Sequence, residues 1–255
     1  MAGLLRILPR FYTSTDTKVI PVFVKVVSFD ATDTVIAMDE PFNVVYSRVA
    51  SDHGIPVDSS LVATSFLKYM KDLSVSHPCF GFGSIGHVEW WKRLVVGCLE
   101  EASAAPIPPV KTEEIAQYLF HFYSSGNAWR IVDPELETFV STLRRKEVGV
   151  VIVSNFDGRL RKILQDMNLY SLFDLIVASG EVGVEKPSPS IFEIVTNHYR
   201  LSNASELLHI GDSVQNDYLA ARDFGANAIL FDHSSLNSDV SRLDKISSFS
   251  QLQIL

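Results

Sequence analysis

Eight residues in four separated segments carry the groups from which one reactive centre could be built. Asp30, Thr32 and Thr34 lie in Asp30-Ala31-Thr32-Asp33-Thr34, just after an apolar run, and Ser154-Asn155 ends a second run. Lys186 precedes Pro187 in a loop rich in glycine and proline, and Asp212 follows Gly211 after a third apolar run, with Asp217 five residues on. A carboxylate at the end of a buried strand, beside small residues, is presented at the sheet edge and can attack an electrophile to form an ester or acyl phosphate. Asp30 is therefore the candidate nucleophile, although a strand-end aspartate without the other segments would read as a cap or turn residue. Ser154, ahead of a helix expected to start near Asp157, offers a hydroxyl and backbone N–H groups as a phosphate seat, or else only a helix cap. Asn155 reads equally as turn chemistry, and Thr34 either hydrogen-bonds the transferred group or supports the turn.

Lys186 sits in Gly183-Val184-Glu185-Lys186-Pro187-Ser188-Pro189. A cation held there would offset repulsion between Asp30 and an anionic substrate, most strongly in a partly dry site; an isolated lysine is otherwise a solvated surface residue. Asp30, Asp212 and Asp217 in one cleft would raise one another's pKa values unless a cation resided among them. Magnesium suits an all-oxygen donor set. The competing reading, two helix N-cap aspartates, is weakened by Gly211, which lets a phosphate approach closely. His209 lies within a buried strand and reads as a satisfied core histidine, and Asn203-Ala204-Ser205 is a glycosylation sequon with nothing else pointing to secretion.

The elements that would position these residues follow from hydrophobic patterning. Val22 to Phe29 is almost continuously apolar, as are Gly149 to Val153, Leu175 to Ala178, Leu207 to Ile210 and Ala228 to Phe231. Such runs suit parallel strands buried on both faces. Amphipathic helices lie between them, with Leu136, Phe139, Val140 and Leu143 at helical spacing and Leu160, Ile163 and Leu164 starting a similar stripe. The pattern predicts an α/β fold with a Rossmann-like parallel sheet, whose ligands bind beyond the carboxyl ends of the strands. Between the first and second core strands, four helical stripes succeed one another with no strand: Phe42, Val45, Tyr46 and Val49; Val62, Phe66 and Met70; Val88, Trp91 and Val95; and Ile115, Tyr118, Leu119 and Phe122. They predict an inserted α-helical cap over 39–130, with the core formed by 21–38 and 131–255. The stretch His77-Pro78-Cys79-Phe80-Gly81-Phe82-Gly83 would be a mobile loop closing over the cleft, or an ordinary connection.

A chain of 255 residues buries roughly 70–75% of its unfolded surface without disulfides or metal. Its two cysteines form no disulfide framework and suggest a reducing compartment. A net charge of −8 disfavours nucleic acid and anionic membrane as partners, and no apolar run approaches the roughly 20 residues of a membrane span. Composition sets no oligomeric state. Met1 to Thr15 contain Arg6 and Arg10 with no acidic residue. Residues 1–20 therefore read either as a mitochondrial presequence or as a disordered tail, which leaves a mitochondrial or a cytoplasmic location open.

The four segments, in order and spacing, resemble the haloacid dehalogenase superfamily of hydrolases. The Trp90-Trp91 pair and Ser154-Asn155-Phe156-Asp157 are similar to one subgroup, the haloacid dehalogenase-like hydrolase domain-containing protein 3 group. The resemblance implies that Asp30 is a covalent nucleophile and that Lys186-Pro187 is the superfamily's lysine segment. It also implies that magnesium is held by Asp30, the backbone carbonyl of Thr32 and Asp212, with Asp217 acting through water or holding Lys186. Most phosphatases of the superfamily carry a second aspartate, the general acid/base, where this chain has Thr32. Asp33, one position on, would point to the opposite face of an extended segment, whereas Thr32 would share the face of Asp30. Loss of acid/base help costs about 10²–10⁴ in rate. The expectation is a weak magnesium-dependent phosphatase acting on a small phosphorylated metabolite. The alternatives are a non-catalytic phosphate-binding protein of the same fold, or displacement of halide at carbon, for which the superfamily's dehalogenases dispense with magnesium.

Overall fold

A computed structural model of the chain describes residues 17–233 and 243–254. Its strands are β1 (Lys18–Ile20), β2 (Val26–Phe29), β3 (Ile36–Met38), β4 (Trp129–Ile131), β5 (Gly149–Ser154), β6 (Leu175–Ala178), β7 (Leu207–Gly211), β8 (Asn227–Phe231), β9 (Lys245–Ile246) and β10 (Leu252–Ile254). Six of them make a parallel sheet in the order β6-β5-β2-β7-β8-β9, so the strand that leads to Asp30 is central. Side chains alternate across this sheet. Val27, Phe29, Val150 and Ile152 join one apolar cluster, and Val26, Val151 and Val153 join another on the opposite face. Both faces being dry is why these strands read as unbroken apolar runs.

The helices are α1 (Phe42–Asp52), α2 (Ser59–Ser76), α3 (Pro78–Gly81), α4 (Gly86–Ala102), α5 (Pro109–Phe122), α6 (Leu136–Arg145), α7 (Arg159–Asp166), α8 (Ser179–Val182), α9 (Ser190–His198) and α10 (Ala220–Phe224). Helices α6 and α7 bury Phe139, Leu143, Ile163 and Leu164 against one face, and α9 and α10 bury Ile191, Phe192 and Ala221 against the other. The observed architecture is thus the expected α/β core with a parallel sheet. Helices α1 to α5 all lie between β3 and β4 in sequence, and Val45, Val49, Val62, Val95, Leu99, Ile115 and Leu119 form a cluster of their own. The insertion leaves and rejoins the core side by side, because β3 and β4 pair antiparallel with Met38 opposite Trp129 and Ile36 opposite Ile131.

Several expectations need correction. The first core strand starts at Val26 rather than Val22: the Val24 N–H bonds back to the Pro21 carbonyl, turning the chain, and Val22 is 78% exposed. In α4 the inward side chains are Trp90, Leu94, Val95, Cys98 and Leu99, while Val88 faces out. Tyr118 of α5 is likewise exposed. The presequence or disordered tail expected over 1–20 does not extend over Lys18–Ile20, which pair with Leu252–Ile254, with Ile20 buried. Residues 1–16, which carry the presequence-like composition, lie outside the described residues. No helix among the described residues is long and apolar enough to cross a membrane.

Candidate active site

Asp30 follows the last residue of β2, and its N–H bonds to the Ile210 carbonyl of β7 at 2.8 Å, which fixes its backbone to the middle of the sheet. The chain then turns sharply. Asp33 takes a left-handed φ of 58°, its N–H bonds to the Ile36 carbonyl at 2.8 Å, and the Val35 and Ile36 N–H groups both bond to Ala31. The extended continuation expected for this segment is absent, so strand alternation places neither Thr32 nor Asp33. Asp33 is exposed, and Thr32 is half-buried and faces a cavity beneath the cap.

Lys186 joins the segments. Its ammonium donates to Asp30 Oδ1 at 2.6 Å and to Asp217 Oδ1 at 2.5 Å, and the side chain is almost wholly buried. Burial pushes the Lys186 pKa down, but the two carboxylates outweigh it and hold the net shift upward. Asp30 is pushed up by burial and by Asp217, against the pull of Lys186. Asp217 is also penalised by burial, yet Lys186 and His209 hold its carboxyl well below the usual range. Burial pushes the His209 pKa down, and its ring donates from Nε2 to Asp217 Oδ1 at 3.0 Å, with Nδ1 2.8 Å from the Ser28 hydroxyl. His209 is the satisfied core histidine expected from its strand. Asn155 clamps the lysine loop: its amide nitrogen donates to the Lys186 carbonyl at 2.8 Å, and its Oδ1 accepts from the Lys186 N–H at 2.7 Å.

Asp30, Asp212 and Asp217 bring one carboxylate oxygen each within 4.8 Å of one another. Burial, with Asp30 and Asp217 nearby, pushes the Asp212 carboxyl up to about 8. Three carboxylates beside one lysine form an oxygen-only donor set short of positive charge, and this fits a small divalent cation. Asp217 fits that role least, because Oδ1 already accepts from Lys186 and His209, and Oδ2 accepts from the Ser213 N–H at 2.8 Å. Of its two expected tasks, its contacts match holding Lys186. Gly211 also has a different use from the one expected: a Cβ there would collide with the Asp217 carboxylate, so the glycine makes room for the protein's own side chain.

The expected phosphate-binding residues divide. Ser154 ends β5 beside the site, buried. Asn155 uses one donor and one acceptor of its amide to clamp Lys186, which leaves its second N–H for a ligand. Thr34 is completely buried and its Oγ1 has no protein partner, so it does not support the turn by a side-chain hydrogen bond.

The cap meets the core over a cavity of about 280 Å³ whose wall includes Thr32, Asn155, Phe66, Phe80, Trp91 and Phe120. Arg159, at the start of α7, pairs with Asp157 through Nε and Nη2 at 2.7–3.1 Å. Its guanidinium lies 4.7 Å from the Trp91 ring centre and 4.9 Å from that of Phe120. The Trp91 indole N–H donates to Asp157 Oδ2 at 2.6 Å, so a core ion pair is wrapped by residues of two cap helices.

A family model described as haloacid dehalogenase-like hydrolase matches residues 24–225, spanning the insertion and every segment of the site. The chain belongs to the haloacid dehalogenase-like hydrolases. It is 30% identical over 207 residues to haloacid dehalogenase-like hydrolase domain-containing protein 3 of Bos taurus, covering 81% of each chain. Two solved structures share the fold. The 2-haloacid dehalogenase of Pseudomonas syringae superposes with a TM-score of 0.63 at 20% identity, over 89% of this chain and 96% of that one. YfnB from Bacillus subtilis, bound to magnesium, gives 0.66 at 18% identity over the same shares.

Four residues around this hydrolase's site had roles that escaped sequence reasoning. Ser28 is the one polar residue of β2 and stands opposite His209 in the sheet register, a pairing visible only once the strands are aligned. Arg159 and Asp157 lie just past Ser154-Asn155, where an arginine near a helix start reads as a surface residue. Trp91 was expected to belong to the cap's own packing, but its neighbour Trp90 fills that place.

Proposed function

We propose that this hydrolase is a magnesium-dependent phosphatase that works through an aspartyl phosphate on Asp30 and turns over ordinary alkyl phosphates slowly. The observation that carries this reading is the Lys186 ammonium shared between Asp30 and Asp217, with Asp212 in the same cluster. Asp30, Asp212 and the Thr32 carbonyl would hold the magnesium ion, which when bound supplies positive charge against the substrate phosphate and the ionised carboxylates.

Asp30 attacks phosphorus, and the bond to the leaving oxygen breaks with its electron pair. Lys186 keeps positive charge beside the nucleophile, and Asp217, His209 and Ser28 hold Lys186 in place. Ser154, at the end of β5, receives the phosphate oxygens. Water then attacks phosphorus, and the electron pair of the breaking bond returns to Asp30. Thr32 can neither protonate the leaving oxygen nor deprotonate that water, which limits both steps. Retention of Asp212 and Asp217 favours phosphoryl transfer over metal-free displacement at carbon.

Trapping tests the reading. Incubation with acetyl phosphate, followed by acid quench, should leave a stoichiometric, hydroxylamine-labile adduct on Asp30 that Asp30→Asn lacks. Phosphate binding with no adduct would instead identify a non-catalytic binding protein.

A further inference from the structure

The cavity under the cap differs in character from the charged cluster beside it. Its wall is built of aromatic and aliphatic side chains, among them Phe42, Phe66, Phe80 and Trp91, and its volume is about 280 Å³. Well-packed interiors leave few voids larger than a water molecule, and a dry cavity of about 150 Å³ lined in this way holds benzene. The space therefore suits a substituted or bicyclic ring. A sugar or polyol would leave most of its hydroxyls without partners against such a wall. The only charged side chains on it, Arg159 and Asp157, neutralise each other. The wall thus carries no net charge to attract a second anionic group. Thr32 and Asn155 also line it, so it borders the segments carrying Asp30 and Ser154.

We propose that this cavity takes a flat, uncharged aromatic ring as the leaving group, so that the substrates are aryl phosphates. The proposal rests on the phosphatase reading above and gives it a substrate class. It also accounts for Thr32. When Asp30 attacks an aryl phosphate, the P–O bond breaks and its electron pair leaves on a phenolate. Phenols ionise near pH 10, as tyrosine does, so the phenolate departs without an acid and takes its proton from water. Hydrolysis of the aspartyl phosphate then uses one water, which supplies the oxygen to phosphate and the proton that balances the phenol.

The test separates the ring from the chemistry. Wild-type protein is titrated calorimetrically with phenol, with glycerol and with inorganic phosphate, and steady-state rates are measured with phenyl, benzyl and ethyl phosphate. Phenol should bind at least about tenfold more tightly than glycerol, and benzyl phosphate should show a KM at least about tenfold below that of ethyl phosphate. Phenyl phosphate should exceed benzyl phosphate in kcat, since only its leaving group needs no proton. Met70→Trp, which narrows the cavity, should remove phenol binding and leave phosphate binding unchanged; if that variant does not fold, the wild-type titrations decide. Equal affinity for phenol and glycerol with turnover of all three phosphates would overturn the aromatic assignment and leave the phosphatase reading standing. Tight phenol binding with no turnover of any phosphate would keep the assignment of the cavity and remove the phosphatase.

Discussion

Thr32 lines the cavity beneath the cap while Asp30 accepts from Lys186, and the proposed mechanism has the two residues on opposite sides of the phosphoryl group. Thr32→Asp should therefore restore an acid on the leaving-group side and speed alkyl phosphate hydrolysis by about 10²-fold or more, with a smaller gain for aryl phosphates. Equal gains for both classes, or none, would show that position 32 does not reach the leaving oxygen. Magnesium can be tested at Asp212. Excess chelator and Asp212→Asn should each abolish turnover, with the circular dichroism of the fold unchanged; undiminished turnover in chelator would point to displacement at carbon. Gly211→Ala would drive a methyl group into the Asp217 carboxylate and loosen Lys186. The eight sequence candidates were named from four segments taken together, since each residue alone reads as a cap, a turn or a surface group. For Asn155 the structure shows hydrogen bonds to Lys186 that spacing did not indicate, because spacing locates a residue without showing where its hydrogen bonds go.

Long, strongly patterned elements were readable in advance and short ones were not. Strands β5 and β7 were visible as apolar runs, whereas β3 and β4, three residues each, are too short to show a period. The stripe of α4 was misread by one position because Trp90 and Trp91 are both apolar. Packing decides between them: Gly97 of α4 lets the Tyr69 ring of α2 approach closely, and this turns Trp90 inward. The connection expected as a mobile loop or an ordinary connection folds compactly, with Cys79 and Phe80 at left-handed φ values of 50° and 56°. Phe80 packs on Trp90 and Trp91, and Phe82 rests on Gly183 in the loop that leads to Lys186. Phe82→Ala should raise KM roughly threefold to tenfold while changing stability by less than about 1 kcal/mol, since the ring is half exposed. A large loss of stability with unchanged kinetics would assign Phe82 to packing alone.

At the scale of the whole molecule, Arg159 and Asp157 tie cap to core at a buried point. Arg159→Leu leaves the fully buried Asp157 without its cation and should lower unfolding stability by about 3–5 kcal/mol, while Asp157→Asn combined with Arg159→Leu should cost less. Denaturant unfolding of both variants checks this; equal losses would mean that the pair is not coupled. The same division of the chain has a consequence in time. Val26 of β2 pairs with Gly149 and Leu207, so the strand that leads to Asp30 is made first and its neighbours much later. With roughly 120 residues to add at about 5–20 residues per second, β2 waits on the order of ten seconds during synthesis for its first partner. Throughout that interval a mostly apolar strand stands open on both edges, with the helical insertion emerging directly after it.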